Sequence, residues 1–115
     1  MTNDQFENLR LELRRGCVSL AVLAELRSEQ YGYTLRKALA EKGMAVDEGT
    51  LYPLLRRLES QGLLASDWRE EDKRPKRFYH LSAEGRRILG LLIAEWGTLT
   101  SSLNDIMKES NHGSR

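Results

Sequence analysis

The hydrophobic spacing of this chain changes period twice, and the two changes limit what it can fold into. Up to Gly62, apolar residues recur at intervals of three and four, as on one face of a helix. From Leu63 to Leu81 two runs rich in aromatic residues, "LLASDWR" and "KRFYHL", read as strands around the polar turn "EEDKRP". From 83 to about 108 the helical spacing returns. Helices, a hairpin and a long helix in that order predict a mainly α protein with a small β-hairpin. The order describes a winged helix-turn-helix followed by a long C-terminal helix.

Residues 5–28 carry Phe6, Leu9 and Leu13, then Leu20, Leu23 and Leu26, with Gly16 and Cys17 between them as a place to bend or break. "SEQYGYT", 28–34, reads as a connector. Residues 33–42 form a short helix with Leu35, Ala38 and Leu39 inward, and Gly43 is placed to end it in the left-handed conformation. Asp47 can cap the next helix, Gly62 ends it, and Ser82 can cap the last one. On the strands, Leu64 and Trp68 share one face, as do Tyr79 and Leu81. Trp68, Tyr79 and Leu81 are expected in the core, and His80 is expected to be exposed. The expected organisation is a DNA-binding region over 1–82, a dimerisation helix over 83–108 and a disordered polar tail over 109–115 ending in "SNHGSR".

Composition narrows the function mostly by exclusion. The chain has 115 residues, enough for one domain, and a net charge of +1 that announces no nucleic-acid binder. One cysteine, Cys17, allows no internal disulfide, and no apolar run reaches the ~18 residues of a membrane span, so a cytoplasmic location is expected. One Cys with two distant His, His80 and His112, predicts no zinc site, and no metal or cofactor is expected. Spacing suggests no catalytic triad, no paired carboxylates and no phosphate-cradling glycine loop, so no enzyme is expected.

The segment "DEGTLYPLLRRLESQG", 47–62, carries the most information. On a wheel of ~100° per residue, Leu51, Leu54, Leu55 and Leu58 gather on one side. Gly49, Pro53, Arg56 and Ser60 gather on the other, with Thr50 and Arg57 at one edge and Tyr52 at the opposite edge. The hydrogen bond lost at Pro53 therefore faces outward, where the bare backbone of Gly49 permits close approach. Pro53 can meet a thymine methyl, Thr50 and Tyr52 offer hydroxyls, and Arg56 and Arg57 offer charge. These features suit a DNA recognition helix, and they also fit a plain structural helix with a solvated face.

The hairpin carries "KRPKR", 73–77, in which Lys73, Arg74, Lys76 and Arg77 are basic and Pro75 is expected to stiffen the turn. A basic wing suits the phosphate backbone or minor groove. The counterweight is "EED" just before it: residues 47–80 hold seven Lys and Arg against seven Asp and Glu. In the last helix, Leu89, Leu92, Trp96, Leu99, Leu103 and Ile106 form a heptad seam. One chain buries such a stripe poorly, so it predicts a homodimer, with the helix at 5–28 as second contributor. Trp96 reads first as interface packing, and alternatively as a platform for a flat apolar effector between subunits.

"YGYTLRKAL", "DEGTLYPLLRRLESQGLL", "KRFYHLSAEGRR" and "LIAEW" resemble the PadR family of bacterial transcriptional regulators, over about residues 13–100. The single C-terminal helix resembles the smaller subgroup. The resemblance implies a winged-helix homodimer that binds a palindromic operator, usually represses, and is released by an inducer, often a phenolic or drug-like aromatic. It places the DNA-reading segment on Gly49, Thr50, Leu51, Tyr52 and Pro53, with Leu51 inward. It places Tyr31, Gly32 and Tyr33 at the start of the second helix, with a phosphate contact there, and the wing on Lys73 to Arg77. In some relatives a tryptophan of the last helix lines the pore between subunits, which Trp96 matches by context. The expected function is thus a DNA-binding regulator, a repressor, with DNA and a second copy of itself as partners. A winged-helix protein-interaction module that does not bind DNA stands as the alternative.

Overall fold

The computed structural model describes the backbone of residues 2–112 and the side chains of 3–108. Its first helix, α1 (Thr2–Glu25), runs unbroken through Gly16 and Cys17, where the sequence allows a bend or break. Nothing lies within 4 Å of the position a Cβ on Gly16 would take, so no packed neighbour deflects the helix there. A lone glycine costs a helix only about 1 kcal/mol relative to alanine, which a helix this long absorbs.

After α1 come β1 (Gln30–Tyr31), α2 (Gly32–Glu41), α3 (Glu48–Ser60), β2 (Leu64–Glu71), β3 (Arg74–Leu81) and α4 (Ala83–His112). The three strands form an antiparallel sheet in the order β1–β3–β2. This is the winged helix-turn-helix with a long terminal helix. The expected connector at 28–34 hides the strand β1, whose Gln30 and Tyr31 pair with Tyr79 and Phe78. Helix α4 continues to His112, so the tail expected from 109 is helical to that point and lies outside the described residues from 113 to 115.

Two helix ends follow one rule. Gly43 and Gly62 take φ of +85° and +80°, which a side chain would strain. Met44 N–H then donates to the Leu39 carbonyl and Leu63 N–H to that of Leu58, closing both helices in the Schellman pattern. Ser82 opens α4: its hydroxyl accepts from Gly85 N–H at 2.9 Å and donates to the Gly62 carbonyl at 2.6 Å.

The core gathers Val18, Val22, Leu23 and Leu26 of α1, Leu35 and Leu39 of α2, and Leu51, Leu54, Leu55 and Leu58 of α3. Leu64, Tyr79, Leu81 and Leu89 close it from the sheet and α4. Trp68, expected in the core, is 64% exposed. Alternation puts it on the helix-facing side with Leu64 but carries it past the edge of the packed layer. Pro75 is not in the turn. It pairs with Glu70 inside β3, and the two-residue turn is Asp72–Lys73, with φ of 54° and 65°. Residues alternate between bonded and non-bonded pairs along the ladder, so Pro75 presents its donorless nitrogen to the open edge of β3.

The radius of gyration is 17.3 Å, against roughly 13 Å for a compact chain of this length. The excess comes from the N-terminal half of α1 and most of α4, which project from the packed region. No helix among the described residues is long and apolar enough to cross a membrane.

Candidate nucleic-acid interface

Helix α3 separates its two sides as the wheel requires. Leu51, Leu54, Leu55 and Leu58 are buried, while Gly49, Thr50, Pro53, Arg56 and Arg57 are exposed. The helix continues through Pro53. Asp47 holds the N-cap position with an extended backbone but makes no side-chain capping bond. Its carbonyl instead accepts from Leu51 N–H at 2.9 Å, and its carboxylate stands beside Gly49, 3.3 Å from where a Cβ would sit.

Tyr52 is half-buried rather than free on its edge. Its ring lies against the first residue of α2, where a Cβ on Gly32 would overlap the Tyr52 hydroxyl and ring. Gly32 is therefore the seat of the tyrosine, and any side chain there would push the Tyr52 edge of α3 away from α2. Tyr33, the next residue, is exposed. With Arg56, Trp68 and Lys76 these tyrosines line a cleft of about 400 Å³ between α3 and the hairpin.

Ion pairing divides the seven cations of 47–80 into two groups. Arg77 donates to Ser66 Oγ at 2.9 Å and to Glu59 at 3.0 Å, and Ser66 donates to the same carboxylate at 2.6 Å. Burial beside this triangle pushes the Tyr79 phenol up. Lys76 lies over the Tyr31 ring at 4.4 Å and within 3.5 Å of Glu71. Its bond to the Tyr31 hydroxyl raises its pKa. Arg69 binds Asp67 and Glu29 and sits over Phe78 at 4.5 Å. Lys76 and Arg77, both expected to face DNA, are thus engaged within the chain, as is Arg69. Arg56, Arg57, Lys73 and Arg74 have no carboxylate partner among the described residues and are exposed. The balanced total thus resolves into an internal set of pairs and an outward set of free positive charge.

On the far sheet face, Glu29, Asp67 and His80 each bring one ligand atom within 4.8 Å of the others, a grouping that residue spacing does not suggest. Arg69 already neutralises both carboxylates there and holds the Asp67 carboxyl below its usual range. His80 is half-buried rather than open.

In α4, Leu89 is only 4% exposed and belongs to the chain's own core, which removes it from the expected dimer seam. Leu92, Trp96, Leu99, Leu103 and Ile106 remain exposed, as do Phe6, Leu9 and Leu13 of α1. Sequence reasoning misses one group altogether. Arg10, Arg14 and Arg15 of α1 face the outward edge of α3 across a groove of about 740 Å³. They lie 33 to 38 residues before α3 in the chain, so only the helix packing brings them there.

A sheet-backed helix-turn-helix with an unpaired cationic face defines a protein of the winged-helix class. Residues 20–91 match the model of the transcriptional regulator PadR-like family, and the chain belongs to that family. It is 40% identical over 79 residues to the transcriptional regulator Rv3488 of Mycobacterium tuberculosis, spanning 68% of this chain and 74% of that one. It resembles the crystal structure of a PadR family transcriptional regulator from Eggerthella lenta with a TM-score of 0.85 and 42% identity, over 92% of this chain and 95% of that one. It also resembles a PadR-like transcription factor from Bacteroides fragilis, at a TM-score of 0.73 and 34% identity over 86% and 98% of the two chains. The protein is accordingly a transcriptional regulator and not an enzyme.

Proposed function

We propose that this regulator binds a palindromic DNA operator as a homodimer in the cytoplasm and represses transcription. The observation that carries this is the outward face of α3. Gly49, Thr50 and Pro53 are open there, and Arg56 and Arg57 lack carboxylate partners among the described residues. A short-side-chain strip with free guanidinium groups beside it suits a major groove, where small residues approach base edges and arginines meet phosphates or guanine. Tyr33 and Tyr52 add hydroxyls at one edge, and Lys73 and Arg74 add charge at the hairpin tip. Lys76 and Arg77 hold the hairpin in place beside α3.

The projecting helices support the dimer. The stripe from Leu92 to Ile106 is exposed in one chain, and a second copy would cover it. Residues 1–82 then serve as the DNA-binding region and 83–108 as the dimerisation helix. Two copies would set their α3 helices ~34 Å apart or at a multiple of that distance. Trp96, half-exposed within the stripe, offers a flat surface between subunits for a small aromatic effector that releases DNA. Such a ligand acts only through its differential affinity for two dimer arrangements.

An electrophoretic titration against genomic fragments at two salt concentrations tests the proposal. Sequence-selective binding that weakens steeply with salt is expected. No binding at low salt would instead favour a module that contacts other proteins. Arg56→Ala should weaken operator binding about tenfold and leave the thermal midpoint nearly unchanged. A large drop in the midpoint would make Arg56 structural.

A further inference from the structure

We infer that α1 supplies a second line of DNA-backbone contacts, through Arg10 and Arg15, on the side of α3 away from the wing. The inference rests on the DNA-binding reading above and adds a surface to it. The groove between α1 and α3 is lined by Arg10, Arg14 and Arg15 on one wall and by Thr50, Pro53 and Arg57 on the other. Asp47 is the single acidic residue among its lining, against four arginines. The groove opens directly onto the outward strip of α3.

A helix lying in the major groove, ~12 Å wide, has a phosphate backbone on each side of it. The Tyr52 edge of α3 faces the hairpin, which serves one backbone. The Thr50–Arg57 edge faces α1, and there the only dense positive charge among the described residues is the α1 row. Arg14 fixes that row: its guanidinium donates to the Ala45 carbonyl at 2.9 Å, in the turn that leads into α3. Arg15 has no carboxylate partner among the described residues, and Arg10 has only an exposed 3.6 Å approach to Glu7. Arg15 lies roughly 150° around α1 from the apolar stripe of Phe6, Leu9 and Leu13, and Arg10 borders that stripe as the i+4 neighbour of Phe6, so a partner subunit covering the stripe leaves Arg15 open and Arg10 at its rim. The location also answers the even charge count of residues 47–80, because the added positive charge comes from outside that span.

The test uses the full chain and a duplex that the wild-type protein selects from random-sequence DNA. Arg10→Ala/Arg15→Ala should make the slope of log affinity against log salt shallower by about 1.8 per protomer, at ~0.9 for each phosphate no longer neutralised. Affinity for an unrelated duplex should fall in parallel. Phosphate-ethylation interference should lose its signals on one flank of the recognised groove and keep those on the wing flank, whereas Arg74→Ala should do the reverse. Arg10→Lys/Arg15→Lys should retain the wild-type slope. An unchanged slope and interference pattern in the alanine variant overturns the inference and leaves the DNA-binding reading standing. So does a shallow slope in the folded lysine variant. If the wild type selects no duplex at all, the DNA-binding reading falls and this one with it.

Discussion

The packed head of this molecule and its two projecting helices use the same residue in the same spacing and reach opposite outcomes. In α3, leucines at intervals of three and four are 0–6% exposed. In α4, Leu99 and Leu103 follow the same rule and are 50% and 51% exposed. Periodicity says which face of a helix is apolar. It does not say whether the covering surface belongs to the same chain. The head meets the need internally because helices, hairpin and short turns fold back within about seventy residues. Helix α4 is 30 residues, about 45 Å, and outruns anything the chain can place beside it.

The sharpest way to break that contrast is to charge the exposed seam. Leu99→Asp should abolish the proposed dimer outright, with the sedimentation mass falling to that of one chain and the head still folded. An unchanged mass would mean the seam is not an interface. Next in size, Leu55→Ala in the head should cost roughly 2–5 kcal/mol, because the side chain is fully buried. Its melting midpoint should shift equally at all protein concentrations. Leu103→Ala should instead shift the midpoint by an amount that varies with protein concentration, if the packing it removes lies between copies as proposed.

Turn strain gives a smaller effect confined to the head. Asp72 and Lys73 both hold positive φ without being glycine, at roughly 1 kcal/mol each. Lys73→Gly should therefore raise thermal stability slightly while weakening DNA binding, and a fall in stability would mean Lys73 packs at the tip. The smallest effect concerns acid. Lys42 donates to the Glu25 carboxylate and holds its pKa below the ordinary 4.5, with burial opposing. Folding thus favours the charged form. The contribution is complete above the ordinary value and disappears as pH falls through the lowered one. Glu25→Gln should lose ~0.5–1 kcal/mol near neutral pH, with the variant and wild type converging in acid melts. The same difference should persist in the Leu99→Asp background if head and arms are energetically separate.

Elements set by local chemistry are readable from the chain alone. Gly43, Gly62 and Ser82 announce helix ends because capping involves neighbours within a few residues. The leucine side of α3 follows from spacing, and so does the outward position of Gly49 and Pro53. What escapes depends on distant partners. The strand β1 is two residues long and exists only because β3 pairs with it. Trp68 has the parity of a core residue, but parity carries no information about where the helix layer stops. Gly32 reads as connector punctuation, and only the fold lays Tyr52 against it. The basic residues of the hairpin can be counted in the chain. Which of them are free depends on Glu59 and Glu71, whose proximity is a product of the fold.

The triangle of Arg77, Ser66 and Glu59 ties the hairpin to the last turn of α3 with three short bonds. In the DNA-binding reading proposed above, each head would then be one jaw of a caliper, with its reading edge and its flanking finger joined in a single piece. In a dimer of such heads, little adjustment is available within a jaw. If the proposed dimer forms, whatever opens or closes the instrument would act at the hinge, along the arms, by changing how far apart the two jaws stand.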